Sequence, residues 1–269
     1  MRIWGKILGF LFGFMLSRSI IGALIGAWIG HRFDKGTGLD FSALGGAKSD
    51  TERQAVFFYS SFSVMGYIAK ADGQVSSHEI AFANAYMDKL GLKDVLRQQA
   101  QEAFRDGKTS GFPLSEQLKK LKSAVGNRRD LLLLFLEIQI QVAFADGSLE
   151  QDERDVLHQI ANGLGYSAKE LDKLLAMIIA GANFHQQGQG GSNHSSAQSG
   201  KQLENAYKVL GVTENNSASE IKKSYRKLMS QHHPDKLVAK GLPPEMMETA
   251  KQKAQDIQAA YELVTAQNK

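Results

Sequence analysis

Apolar and polar positions divide the chain into four stretches. Residues 7–30 are almost continuously apolar, broken by one charge at Arg18. A run of roughly 20 apolar residues is long enough to span a bilayer as a helix. A cleaved signal peptide is the competing reading, but the run is long for one and no Ala-x-Ala site follows it. From Thr51 onward the apolar residues recur at helical spacing, with Val56, Tyr59 and Phe62 on a stripe widened by Phe57, Phe58, Met65 and Ile68. Residues 131–144 are strongly apolar but carry Glu137, Gln139 and Gln141 and are too short to span, which predicts a buried core helix. Residues 182–200 are rich in Gly, Ser, Gln and Asn, and predict a flexible linker. Beyond it Leu203, Ala206, Tyr207 and Leu210 fall at i, i+3, i+4 and i+7, one face of a short helix. The expectation is an all-α chain: an anchor with flanks at 1–35, a helical domain at 51–181, the linker at 182–200 and a last helical domain at 201–269.

The middle stretch repeats itself. Ala69-Lys70-Ala71-Asp72-Gly73-Gln74-Val75 matches Ala143-Phe144-Ala145-Asp146-Gly147-Ser148-Leu149, each followed at the same offset by Glu79 or Glu153. Both copies then reach a similar phrase, Leu90-Gly91-Leu92 and Leu164-Gly165-Tyr166. A duplicated helix-loop-helix unit accounts for this, because neither half alone can bury its apolar face.

The last stretch carries its own punctuation. Ser217-Ala218-Ser219-Glu220 is a capping box opening a helix with Ile221, Tyr225 and Leu228 inward and Lys222, Lys223, Arg226 and Lys227 as a basic outer face. Proline disfavours a helical residue before it, so the helix should stop near His232-His233, ahead of a loop at His233-Pro234-Asp235. Pro243-Pro244 suits the first turn of another helix, striped by Ala250, Ala254, Ile257, Tyr261 and Val264.

These phrases, with Ala206-Tyr207-Lys208-Val209-Leu210-Gly211-Val212 and Ile257-Gln258-Ala259-Ala260-Tyr261-Glu262, resemble the J-domain family over nearly the whole stretch. The resemblance implies a helical hairpin that activates an Hsp70 chaperone, DnaK in bacteria. The implied contact residues are His233, Pro234, Asp235, Lys222, Lys223, Tyr225, Arg226 and Lys227. The basic helix supplies charge complementarity and a fast, salt-sensitive encounter. Pro234 fixes the loop backbone, and Asp235 can form charge-assisted bonds to an arginine.

The doubled Ala-Asp-Gly phrase is similar to the TerB-like helical family. That likeness makes Asp72, Glu79, Asp146 and Glu153 candidate hard-oxygen ligands for a divalent cation. The favoured reading is that both aspartates shape a turn and cap the following helix. The order of anchor, TerB-like domain, linker and J-domain resembles the membrane-anchored DnaJ-like proteins of bacteria. It implies a single-pass inner-membrane co-chaperone with its bulk in the cytosol, active in stress responses, with neither an active site nor a cofactor of its own. A membrane scaffold or metal-responsive adaptor acting through the middle domain is the rival reading.

Composition removes several functions. The absence of cysteine excludes disulfides, thiolate zinc sites and cysteine nucleophiles. A net charge of +4 is too mild to argue for nucleic acid. Metal ligation by His232, His233 and Asp235 is disfavoured because adjacent histidines diverge on a turn. Gly107-Lys108-Thr109 is no phosphate loop, since Glu102 stands where the motif needs glycine. No triad or carboxylate pair supports a hydrolase. Near the N-terminus Gly5, Gly9, Gly13 and then Gly22, Gly26, Gly30 recur four apart, a spacing that lets two membrane helices approach closely and form a homodimer. Glycine is also simply common in membrane helices. Arg2 and Lys6 on one side and Arg32 and Lys35 on the other leave orientation unreadable from charge.

Overall fold

The computed structural model describes residues 50–71, 77–126, 128–144, 147–188 and 196–267. The glycine stripe, Arg18, Asp72 and Asp146 lie outside them. Every regular element among the described residues is helical, and none of these helices is long and apolar enough to cross a membrane.

The core of the middle domain forms around α1 (Asp50–Ile68) and α5 (Arg129–Ala143). Helix α5 has no polar side: Leu131, Leu134, Phe135, Leu136, Ile138 and Ile140 are all within 1% of full burial, so it is enclosed on every side. Phe57, Phe62 and Met65 of α1 are equally buried, and Phe57 meets Phe135 edge-on at 5.9 Å. The helix interior also tolerates serine, because Ser60 and Ser61 return their hydroxyls to the carbonyls of Val56 and Phe57.

The repeat is visible in three dimensions. Helices α1, α2 (Ser77–Lys89) and α3 (Asp94–Gly107) correspond to α5, α6 (Gln151–Leu164) and α7 (Ala168–Gly188), with α4 (Leu114–Val125) between the two sets. The second helix of each set ends alike. Gly91 and Gly165 take left-handed φ of 65° and 89°. The following Leu92 and Tyr166 amides donate to Met87 and Ala161 carbonyls at 3.0 and 2.8 Å, closing a Schellman turn. The shared Leu-Gly phrase of the sequence is this turn.

Helix α1 crosses α3 at backbone distance. A Cβ on Gly66 would lie 2.0 Å from the Phe104 carbonyl oxygen, and one on Gly107 would lie 1.8 Å from that of Ser63. Gly107, set aside above as a phosphate-loop residue, is there to let two helices touch.

The C-terminal domain comprises α8 (Ser196–Val209), α9 (Ala218–His232), the short α10 (Pro234–Ala239), a 3₁₀ turn (Pro244–Met246) and α11 (Met247–Gln267). Ala206, Leu210, Ile221, Ile257, Ala260 and Val264 make a second core, which also takes in Met177 and Ala180 of α7. This shortens the expected 182–200 linker. Helix α7 runs to Gly188, α8 begins at Ser196, and Phe184 packs half-buried on the second core. The glutamine-rich composition concealed an apolar stripe that continues from Met177 through Ala180 to Phe184.

Candidate functional site

The site begins with the capping of α9. The Ser217 hydroxyl accepts from the Glu220 amide at 3.3 Å, and the Glu220 carboxylate accepts from the Ser217 amide at 2.8 Å, the capping box read from the sequence. Backbone and hydroxyl hydrogen bonds from Ser217 hold the Glu220 carboxyl below its ordinary pKa. Ile221 and Leu228 turn into the second core, and the Ser224 hydroxyl donates to the Leu210 carbonyl at 2.6 Å. The opposite side carries Lys222, Lys223, Arg226 and Lys227, all exposed. None of the four is in an ion pair among the described residues, although Lys223 acts on the Glu220 carboxylate, so the strip stays strongly positive. Tyr225 is placed differently. It is half-buried and stacks on Tyr261 of α11 at 4.1 Å and 13°, which fixes the strip against the hairpin's other helix.

The expected loop after α9 is one residue long. His233 is extended (φ −64°, ψ 120°), and Pro234 then opens α10 at the first helical position, where its missing amide costs nothing. The tripeptide is thus a sharp corner between two helices. Asp235 is exposed, and Lys236 donates to the Ser230 hydroxyl at 2.9 Å, tying α10 back to α9. His233 is half-buried, with Nδ1 enclosed and lacking a hydrogen bond.

One functional neighbour escaped the sequence reading. His232, weighed above only as an unlikely metal ligand, is 1% exposed and directed at Glu137 of α5, itself 2% exposed. The His232 Nδ1 to Glu137 Oε2 distance is 3.5 Å, and Lys253 Nζ of α11 stands 3.7 Å from Oε1. Glu137 Oε2 and both His232 nitrogens have no hydrogen bond. The only sequence signal was a charged residue inside an otherwise apolar run.

Burial depresses the His232 pKa below its ordinary 6.5, Lys253 adding to the lowering while Glu137 and Asp130 oppose it. The folded state therefore takes up this proton less readily than the unfolded chain. The stability it contributes is complete above about pH 6.5 and is lost progressively as pH falls below that value toward the depressed pKa. The melting temperature of the full chain, followed by circular dichroism, is expected to drop between pH 7.5 and 5.5, and His232→Leu to make that drop smaller. An unchanged drop in the variant would remove His232 from the pH response.

Of the middle-domain candidates, Asp72 and Asp146 lie outside the described residues. Glu79 lies on α2, and Glu153 accepts from the Glu150 amide at 2.9 Å in a capping box. Among the described residues no group of three or more His, Asp or Glu side chains is placed to hold a metal ion.

Three family models match the chain in order. Residues 1–46 match the family of the co-chaperone DjlA transmembrane domain, 59–176 that of tellurite resistance protein TerB, and 205–269 the DnaJ domain. The co-chaperone protein DjlA of Aliivibrio fischeri is 53% identical over 98% of this chain and 98% of its own. That of Photobacterium profundum is 51% identical over 97% and 98%, and that of Escherichia coli O157:H7 48% over 99% and 98%. No solved structure matches the chain. A basic helix ending in a His-Pro-Asp corner, preceded by a duplicated helical domain and matched from end to end by these relatives, makes this chain a member of the DjlA co-chaperone family.

Proposed function

We propose that the protein is a membrane-anchored co-chaperone that stimulates the ATPase of the Hsp70 DnaK at the cytosolic face of the inner membrane. The observation that carries this reading is the continuity of the exposed strip Lys222, Lys223, Arg226 and Lys227 with the corner His233-Pro234-Asp235. The strip attracts an acidic surface over several ångströms and sets the encounter rate. The corner then supplies a rigid, directional contact: Pro234 fixes the backbone, and the Asp235 carboxylate offers charge-assisted hydrogen bonds to a guanidinium. The chain performs no chemistry on ATP. Its contacts favour the hydrolysis-competent state of the partner, and contacts that differ between two states are what shift an equilibrium. The apolar run at 7–30 and its family match support the anchor. The cytosolic orientation follows from the need to meet an ATP-driven partner.

The test is single-turnover ATP hydrolysis by purified DnaK with the full chain in detergent micelles. The wild-type chain is expected to accelerate hydrolysis, and His233→Gln to reduce the acceleration about tenfold, the loss of one well-placed contact worth about 1.4 kcal/mol. Equal acceleration by both proteins would defeat the assignment of the corner.

A further inference from the structure

The residues on both sides of the His-Pro-Asp corner are built into the middle domain. Leu237, Leu242, Met246 and Ala250, all fully buried, belong to the same apolar core as Phe57 and Phe135. His232, immediately before the corner, is closed in against Glu137. Polar contacts follow the same line: Lys240 pairs with Asp130, the Gln54 side chain donates to the Leu242 carbonyl at 3.5 Å, and the Tyr86 and Thr249 hydroxyls share a hydrogen bond of 3.1 Å. We propose that this contact is a latch. While residues 237–250 are seated on α1 and α5, the corner is withheld from the Hsp70, and release of the seat makes it available. This rests on the co-chaperone reading above.

The two parts of the proposed Hsp70 surface are unequally available. The basic strip is exposed along its length, whereas His233 is half-buried with an enclosed, unpaired Nδ1. An incoming chaperone therefore meets the charge of α9 and the exposed Asp235 first, and finds the imidazole only half accessible. Stimulation needs a second event, the lifting of the corner.

The composition of the seat makes it separable. A permanent interface buries apolar groups or fully satisfied polar ones. Here Glu137 Oε2 and both His232 nitrogens are buried without hydrogen bonds. Each such group regains water on separation, which offsets part of the apolar contact that is lost. The hairpin helices keep a core apart from the seat, built of Ile221, Leu228, Ile257, Ala260 and Val264 and shared with Met177 and Ala180 of α7.

The absence of native cysteine makes the latch testable by crosslinking. In the full-length double variant Asp130→Cys, Lys240→Cys, a short bis-maleimide bridges only these two positions and holds the seat closed. Stimulation of single-turnover ATP hydrolysis by DnaK is expected to fall about tenfold relative to the same protein with both thiols capped by a mono-maleimide. In the opposite direction, Lys240→Glu sets a carboxylate against Asp130 and should raise stimulation several-fold. Adding Asp130→Lys to that variant should return it to the starting value. If the bridged and capped proteins stimulate equally, or Lys240→Glu lowers stimulation, the latch is wrong while the co-chaperone reading stands. If the unmodified wild-type chain itself gives no stimulation, the co-chaperone reading falls and the latch with it.

Discussion

Replacing Arg226 and Lys227 together by glutamate is expected to lower DnaK stimulation about 100-fold at low ionic strength, chiefly by slowing the encounter. Both side chains are exposed, and neither belongs to the hairpin core, which α9 enters through Ile221 and Leu228. Glutamate is as good a helix former as lysine or arginine, so the fold should survive. The N-terminus of the helix stays capped by Ser217 and Glu220. What changes is the charge of the strip facing an acidic partner: two of its four positive side chains become negative, and the other two, Lys222 and Lys223, are cancelled. The wild-type rate should fall steeply as salt shortens the Debye length from about 30 Å at 0.01 M toward 8 Å at 0.15 M, and the variant's should not. Stopped-flow measurement of the encounter across that salt range checks both statements. A variant rate that matched the wild type at low salt would show that the strip does not recruit the partner.

Much of this surface is legible without coordinates because its signals are local. A capping box, an amphipathic period and a proline each act within a turn or two of helix, so Ser217, Ile221, Leu228 and Pro234 could be assigned from neighbours in the chain. The repeat was equally readable, since Gly91 and Gly165 recur in matching phrases and close matching turns. What the sequence hid is long-range. Glu137 precedes His232 by most of a domain, and nothing near either residue announces that they meet. Tyr225 reads as inward-facing, but nothing near it in the chain names Tyr261 as the ring it stacks on. The corner reads as a loop when proline counts only as a helix terminator. In the fold Pro234 also starts α10, and the pause between helices shrinks to His233. These misses share one cause: pattern reading assigns a face to each helix but not the helix that covers it.

The crossing of α1 and α3 is the most sensitive point of the middle domain. Gly66→Ala is expected to destabilise the chain by about 3 kcal/mol or more, at the upper end of the usual cost of overpacking. The new methyl would lie 2.0 Å from the Phe104 carbonyl oxygen, a backbone atom with no rotamer to yield. Relief requires the two helices to separate along their contact, including the reciprocal approach of Gly107 to the Ser63 carbonyl. Helix α1 also carries Ser61, whose hydroxyl lies 4.0 Å from Met246 Sδ, so a shifted α1 disturbs the seat of the His-Pro-Asp corner as well as the core. For a unit of this size the loss corresponds to a fall in melting temperature of about 10 °C. Gly200→Ala supplies the contrast. That glycine lies within α8, and an added Cβ there meets nothing within 4 Å. The same chemical change should therefore be neutral or stabilise by up to about 1 kcal/mol, through helix propensity and the reduced freedom of the unfolded chain. Thermal melts of both variants by circular dichroism separate a steric cause from a general sensitivity to alanine. If Gly66→Ala melted with the wild type, α1 and α3 would not be in backbone contact, and the route by which the crossing supports the corner would be lost.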